Sequence, residues 1–167
     1  MKGFPVIIES FRNMPEKRLL VAGAGSEVAG YKKQASGNFN IEFKGFMKRK
    51  DLQMLLKETK AVIVASQYYE TFGMIVIEAF ASRVPVIVGD IGNIGSLVDD
   101  GINGVKFQYN SAASLIKAVE CFEQLPREKL GENAYLKYRK YFTQETNYEL
   151  QDKIYSLIFT VGYRSKL

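Results

Sequence analysis

Short runs of apolar residues, each separated from the next by a segment of helical spacing, set the limits on how this chain can fold. They lie at residues 18–22 (RLLVA), 41–43 (IEF), 61–65 (AVIVA) and 84–88 (VPVIV). A fifth, at 104–107, follows the turn signal Asp99-Asp100-Gly101. Runs this short and nearly all apolar suit strands covered on both faces. Residues 5–13 read as a helix, because Val6, Ile7, Ser10 and Phe11 keep helical spacing and Pro5 stands near the start. Helices are also expected at 26–34, 50–58 and 73–82, with a short one near 96–98 and about three segments from 111 onward. Strand–helix alternation implies right-handed βαβ units and a parallel, doubly wound sheet. The expected fold is α/β: one Rossmann-like domain over residues 1–167, helices on both faces, with a helical tail.

Composition removes several chemistries. With no histidine and one cysteine, Cys121, the chain holds no internal disulfide, no His/Cys zinc site and no Ser-His or Cys-His catalytic pair. No stretch approaches the roughly 18 to 20 apolar residues that span a bilayer. The N-terminal MKGFPVIIESF reaches Glu9 and Arg12 too early for a signal peptide, so a cytoplasmic setting is the expectation. The net charge of +5 suits an anionic ligand or membrane surface, and equally a protein that binds neither.

Ligands of open α/β sheets sit beyond the carboxyl ends of the strands. The loops to search are then 23–26, 45–50, 66–72 and 89–95. Residues 66–104 are the richest stretch. Glu70 falls in a loop after a buried strand, just before a helix, and Glu78 lies eight residues later inside that helix. Two turns cover about 7 residues, so both carboxylates can face one edge of the sheet. Glu78 stands among Ile75, Val76, Ile77, Ala79 and Phe80, where a buried carboxylate needs a partner. Ribose hydroxyls would satisfy it, and so would the backbone of a neighbouring loop. Thr71-Phe72-Gly73 opens the helix, so unpaired N–H groups and the helix dipole favour a phosphate there. A glutamate beside such a site fits a ligand that also carries sugar hydroxyls.

The run YETFGMIVIEAFASRVPVIVGDIGNIGSLVDDGINGV closely resembles the donor-site signature of retaining GT-B glycosyltransferases. Its marks are two glutamates separated by seven residues, Glu70 and Glu78, then Ala-X-Ala and a Val-Pro-Val-Ile strand. AGAG at 22–25 and FKGFM at 43–47 extend the likeness over nearly the whole chain. The resemblance implies the nucleotide-sugar-binding C-terminal half of such an enzyme. Glu78 would bind the ribose hydroxyls and Glu70 the donor sugar near the reacting carbon. Backbone groups at Thr71, Phe72, Gly73 and Met74 would hold sugar and diphosphate, with Met47, next to Phe46, beside the base. Lys2, in a Lys-Gly pair, would bind the diphosphate, and Gly23 and Gly92 fall in ligand-edge loops. Transfer would retain configuration by front-face attack, the leaving diphosphate serving as base. No cofactor is implied and no metal is expected. The reaction class the resemblance implies is hexosyl transfer to a glycan or lipid-linked acceptor, in surface polysaccharide synthesis. No nucleic acid partner is expected, and association with the inner face of a membrane is left open.

The pattern also departs from that family. Gly92-Asn93-Ile94-Gly95-Ser96 lacks the proline and acid usual there. Lys48-Arg49-Lys50 puts cations where they oppose the dipole of a helix start. It reads either as a solvated cluster or as a contact for phosphate or an anionic acceptor. The chain opens after the place of the domain's first, central strand, and the resemblance places the acceptor site in an N-terminal domain outside these residues. Weak or no transfer by the chain alone is therefore expected. A terminal helix at 142–167 would cross toward that domain, exposing Tyr148, Tyr155 and Leu157 and favouring self-association, or else pack on this domain. A nicotinamide dehydrogenase is rejected, since Val28 replaces the third glycine of the fingerprint begun by Gly23 and Gly25. A sugar-nucleotide epimerase and a non-catalytic nucleotide-sugar-binding subunit are the remaining alternatives.

Overall fold

The computed structural model describes residues 2–67 and 72–164, with backbone alone for 158–164. The elements run α1 (Phe4–Arg12), β1 (Leu19–Ala22), α2 (Val28–Gln34), β2 (Ile41–Gly45), α3 (Arg49–Glu58), β3 (Val62–Val64), α4 (Met74–Ala81) and β4 (Val86–Gly89). They continue as α5 (Gly92–Ser96), β5 (Gly104–Phe107), α6 (Ala112–Gln124), α7 (Arg127–Tyr141) and α8 (Gln144–Arg164). Every strand pairing is parallel, as the strand–helix alternation requires.

One continuous sheet is not what forms. β1 pairs with β2, Leu19 opposite Ile41, while β4 lies between β3 and β5, with Val86 opposite Val62 and Gly104. The ladder therefore breaks between the β1–β2 pair and the three-stranded piece. Hydrophobic packing joins the two pieces. Val6, Ile7, Ile8 and Phe11 of α1 share one buried cluster with Leu19 and Val21 of β1, Ile87 of β4 and Val105 of β5.

Side-chain alternation divides the core between two faces. Ile87 enters the cluster beneath α1, α2 and α6, whereas Val86 and Val88 enter a second one with Val76 and Phe80 of α4, Ile94 of α5 and Ala134 of α7. Helices thus cover both faces of the sheet, α1 against α2 and α6 on one, α4 against α7 on the other. The buried Ser10 hydroxyl fastens the first layer by bonding the carbonyls of Val6 at 2.8 Å and Ala112 at 3.2 Å. The Asn40 amide donates to the carbonyls of Phe11, Met14 and Lys17, tying the end of α1 to the start of β2.

The sequence reading places a loop at 89–95 and a short helix at 96–98, but the helix occupies Gly92–Ser96. Two glycines in five residues argue against a helix by propensity. Packing overrides this: Ile94 and Val98 are buried, and a Cβ on Gly95 would come within 2.8 Å of the Asp90 carboxylate. Along α8, Tyr148, Tyr155 and Leu157 are exposed.

Candidate functional site

The carboxyl edge of the three-stranded piece is assembled by two glycines. Gly3 caps the start of α1 at φ +71°, and a Cβ there would lie 1.8 Å from the Ala65 carbonyl oxygen. Only a residue without a side chain lets the start of α1 press on the chain just past β3. The exposed Lys2 is thereby fixed next to that strand end. Gly73 caps α4 at φ +72°, and a Cβ on it would meet Leu97 Cδ1 at 2.9 Å and Ile94 Cγ1 at 3.2 Å. The start of α4 therefore packs onto α5, which brings the segment opened by Gly92 to the same edge.

The N–H groups of Val76 and Ile77 both donate to the Gly73 carbonyl. Those of Met74 and Ile75 belong to the first turn, whose donors a helix cannot satisfy internally. The positive end of the α4 dipole lies at this point as well. One turn along, Glu78 shares the exposed face of the helix with Met74, while Val76, Ala79 and Phe80 are fully buried on the other. Glu78 is therefore not a buried acid in need of a protein partner, as its apolar neighbours suggest. Helical angle turns it outward, and its carboxylate makes no hydrogen bond or ion pair among the described residues. Phe72 is also exposed. Glu70 and Thr71 lie outside the described residues.

Gly23 and Met47 lie at the corresponding edge of the two-stranded piece. Gly23 has φ +137°, open space where a Cβ would stand, and an N–H that donates to Gly45 across the ends of β1 and β2. Met47 is half-buried beside the exposed Phe46. Lys48, Arg49 and Lys50 follow, all exposed at the start of α3 and without ion pairs among the described residues.

The strand-end rule applies equally to the loop after β5. Gln108, Tyr109 and Asn110 follow Phe107 there. Gln67, just past β3, donates from Nε2 to Asn110 Oδ1 at 2.6 Å. The exposed Tyr109 sits against Gly89, and Lys106 Nζ lies 3.2 Å from the Asp90 carboxylate. No group of three or more metal-ligating side chains occurs among the described residues, and no described helix is long and apolar enough to cross a membrane.

Residues 1–137 match the family Glycosyl transferases group 1. The chain belongs to that family. Glycogen synthase of Mycobacterium tuberculosis is 31% identical over 111 residues, covering 65% of this chain and 27% of that protein. A glycosyltransferase from Rickettsia africae superposes with a TM-score of 0.85 at 23% identity, over 95% of this chain and 45% of the other. Anabaena HepE, solved in complex with UDP, superposes with a TM-score of 0.79 at 21% identity, over 93% of this chain and 45% of that one. The chain thus spans less than half the length of the proteins it matches, and its fold is one half of the GT-B architecture.

Proposed function

We propose that this chain is the donor-binding half of a retaining hexosyltransferase, holding a nucleoside-diphosphate sugar at the carboxyl edge built by Gly3 and Gly73. The observation that carries the reading is Glu78: an exposed carboxylate with no partner among the described residues, one turn inside a helix whose first-turn N–H groups open on the same edge. A carboxylate can accept hydrogen bonds from both ribose hydroxyls, and the start of α4 suits the diphosphate. Anabaena HepE, whose complexes contain UDP and UDP-glucose, supports a ligand of this class.

In this reading Lys2, with the amides around Gly73 and Met74, neutralises charge on the leaving diphosphate, and Glu70 orients the sugar. Backbone groups of Thr71 and Phe72 are assigned to the sugar and phosphates, and Met47 to the base. Gly23 and Gly92 keep the strand ends open to the ligand. The protein's part in transfer is positioning and electrostatic stabilisation, with no protein nucleophile and no metal. The acceptor is a glycan or lipid-linked glycan bound by residues beyond this chain.

Calorimetric titration of the protein and its Glu78→Ala variant with UDP, GDP and ADP tests the site. One diphosphate should bind, and the variant should lose about ten- to a hundredfold in affinity, the range of a charged hydrogen-bonding group. Its thermal stability should not fall, because Glu78 is exposed and alanine favours helix. Unchanged affinity in the variant would remove Glu78 from the site and the reading with it.

A further inference from the structure

We infer that the exposed face of α3, with the Phe46–Lys50 segment that leads into it, docks on a surface of anionic phospholipids. The inference is independent of the donor site proposed above. Residues 48–60 hold five basic residues against two acidic ones, so +3 of the chain's +5 sits in 13 residues. The five cations, Lys48, Arg49, Lys50, Lys57 and Lys60, are all exposed, and none makes an ion pair among the described residues.

Helical angle groups these charges with apolar side chains. At 3.6 residues per turn, Lys50, Met54 and Lys57 fall within about 60° of one another, opposite the half-buried Leu52 and Leu55 and the buried Leu56. Met54 therefore stands between two cations, 58% exposed. Asp51 and Glu58 lie on one flank, roughly 80–100° round the helix from Lys50. Phe46 is 79% exposed just ahead of Lys48.

A soluble polyanion would meet the charges and leave Phe46 and Met54 in water. A bilayer surface meets both. Its negative potential draws in the cations, and the interface buries the apolar side chains beside them. Long lysine and arginine stems keep their charges at headgroup level while Phe46 and Met54 enter more deeply. Lys48, Arg49 and Lys50 also oppose the dipole of α3, so the fold gives up helix stability to keep them there. Phe46 and Lys48 flank Met47, so docking sets the carboxyl edge of the β1–β2 pair beside the lipid.

The test sediments the protein with sucrose-loaded vesicles of phosphatidylcholine, alone and mixed equally with phosphatidylglycerol. Wild type should partition onto the anionic vesicles and not onto the neutral ones, and added salt should weaken its binding. The triple variant Lys48→Gln, Arg49→Gln, Lys50→Gln should lose about a hundredfold in partitioning, the worth of three cations near an anionic surface. Its Tm should not fall, because the cations it removes oppose the helix dipole. The chain has no tryptophan, so Phe46→Trp gives a single reporter of depth. Its emission should move to shorter wavelength on anionic vesicles and be quenched by lipids brominated along their acyl chains. Failure of wild type to bind any vesicle overturns the inference. Unchanged partitioning of the triple variant overturns it too, and transfers the binding to another face. Binding to polyphosphate as tight as to anionic vesicles, with no shift or quenching at position 46, makes the face a site for soluble polyanions and overturns the lipid surface.

Discussion

Replacing Gly3 with alanine separates two contributions that this glycine makes at once. Its φ of +71° lies in the left-handed region, which costs a residue with a Cβ about 1–2 kcal/mol. The added methyl would also stand 1.8 Å from the Ala65 carbonyl oxygen, a backbone atom that cannot swing aside. The start of α1 must then lift by more than about 1 Å, at an overpacking cost of about 1–3 kcal/mol. The sum is roughly 2–5 kcal/mol. At about 2–4 °C per kcal/mol for a domain of this size, Tm should fall by on the order of 10 °C. Gly101 supplies the control, with φ +70° and no atom within 4 Å of an added Cβ. Gly101→Ala should carry the backbone contribution alone, a fall of roughly 5 °C. Thermal unfolding followed by circular dichroism compares the two variants. A Gly3→Ala loss no larger than that of Gly101→Ala would refute the close approach that places Lys2 beside β3.

The cations at the start of α3 give a prediction of opposite sign. Lys50 stands in the first turn, exposed and without an ion pair among the described residues, so Lys50→Glu should stabilise the chain by about 0.3–1 kcal/mol at low salt. The gain should shrink as added salt screens it, and unfolding in denaturant at two ionic strengths measures both parts. Hydrogen bonds from Lys44 and then Arg18 hold the Glu42 carboxyl below the usual carboxylate range. A lowered folded-state pKa gives stability that is present above the unfolded pKa and lost as pH falls through the folded one. Wild type should therefore exceed Glu42→Gln in Tm at neutral pH, and the two should converge below the ordinary carboxylate pKa. A constant difference across that range would remove the ion pair as its cause.

The strands and most helices could be read from the sequence because their pattern is two-sided. VPVIV, for instance, has no polar face to turn outward, and β4 is accordingly buried along its length. α5 could not be read so, because Gly92 and Gly95 mark a loop by composition, while Gly95 serves close packing against Asp90. Glu78 reads as a buried acid for a simpler reason. Its apolar neighbours in sequence lie on the other face of α4, and counting helical angle from the exposed Met74 would have turned it outward. The Gln67–Asn110 bond leaves no signature, since it joins two loops far apart in the chain through residue types common in any loop. Apolar pattern alone does not reveal the break in the sheet. A strand at an edge and a strand in the middle can carry the same residues.

That break has consequences for both stability and the site. Leu19 and Gly23 donate their N–H groups toward β2, to Asn40 and Gly45, both at 2.8 Å. The period-two backbone puts the Val21 N–H on the same side and turns those of Leu20 and Ala22 the other way, where β1 has no paired strand. β4 differs, because it is paired along both edges. In a protein of these 167 residues, Leu20 and Ala22 should exchange amide hydrogens at least about a hundredfold faster than Val21, and Val86–Val88 should be the slowest strand residues. Protection at Leu20 and Ala22 equal to that of Val21 would refute the break. The ladder does not hold Gly23 and Met47 in register with Glu78; the apolar face of α1 does, touching both pieces at once. The relative placement of the two halves of the ligand edge therefore depends on the seat of α1, and through it on Gly3.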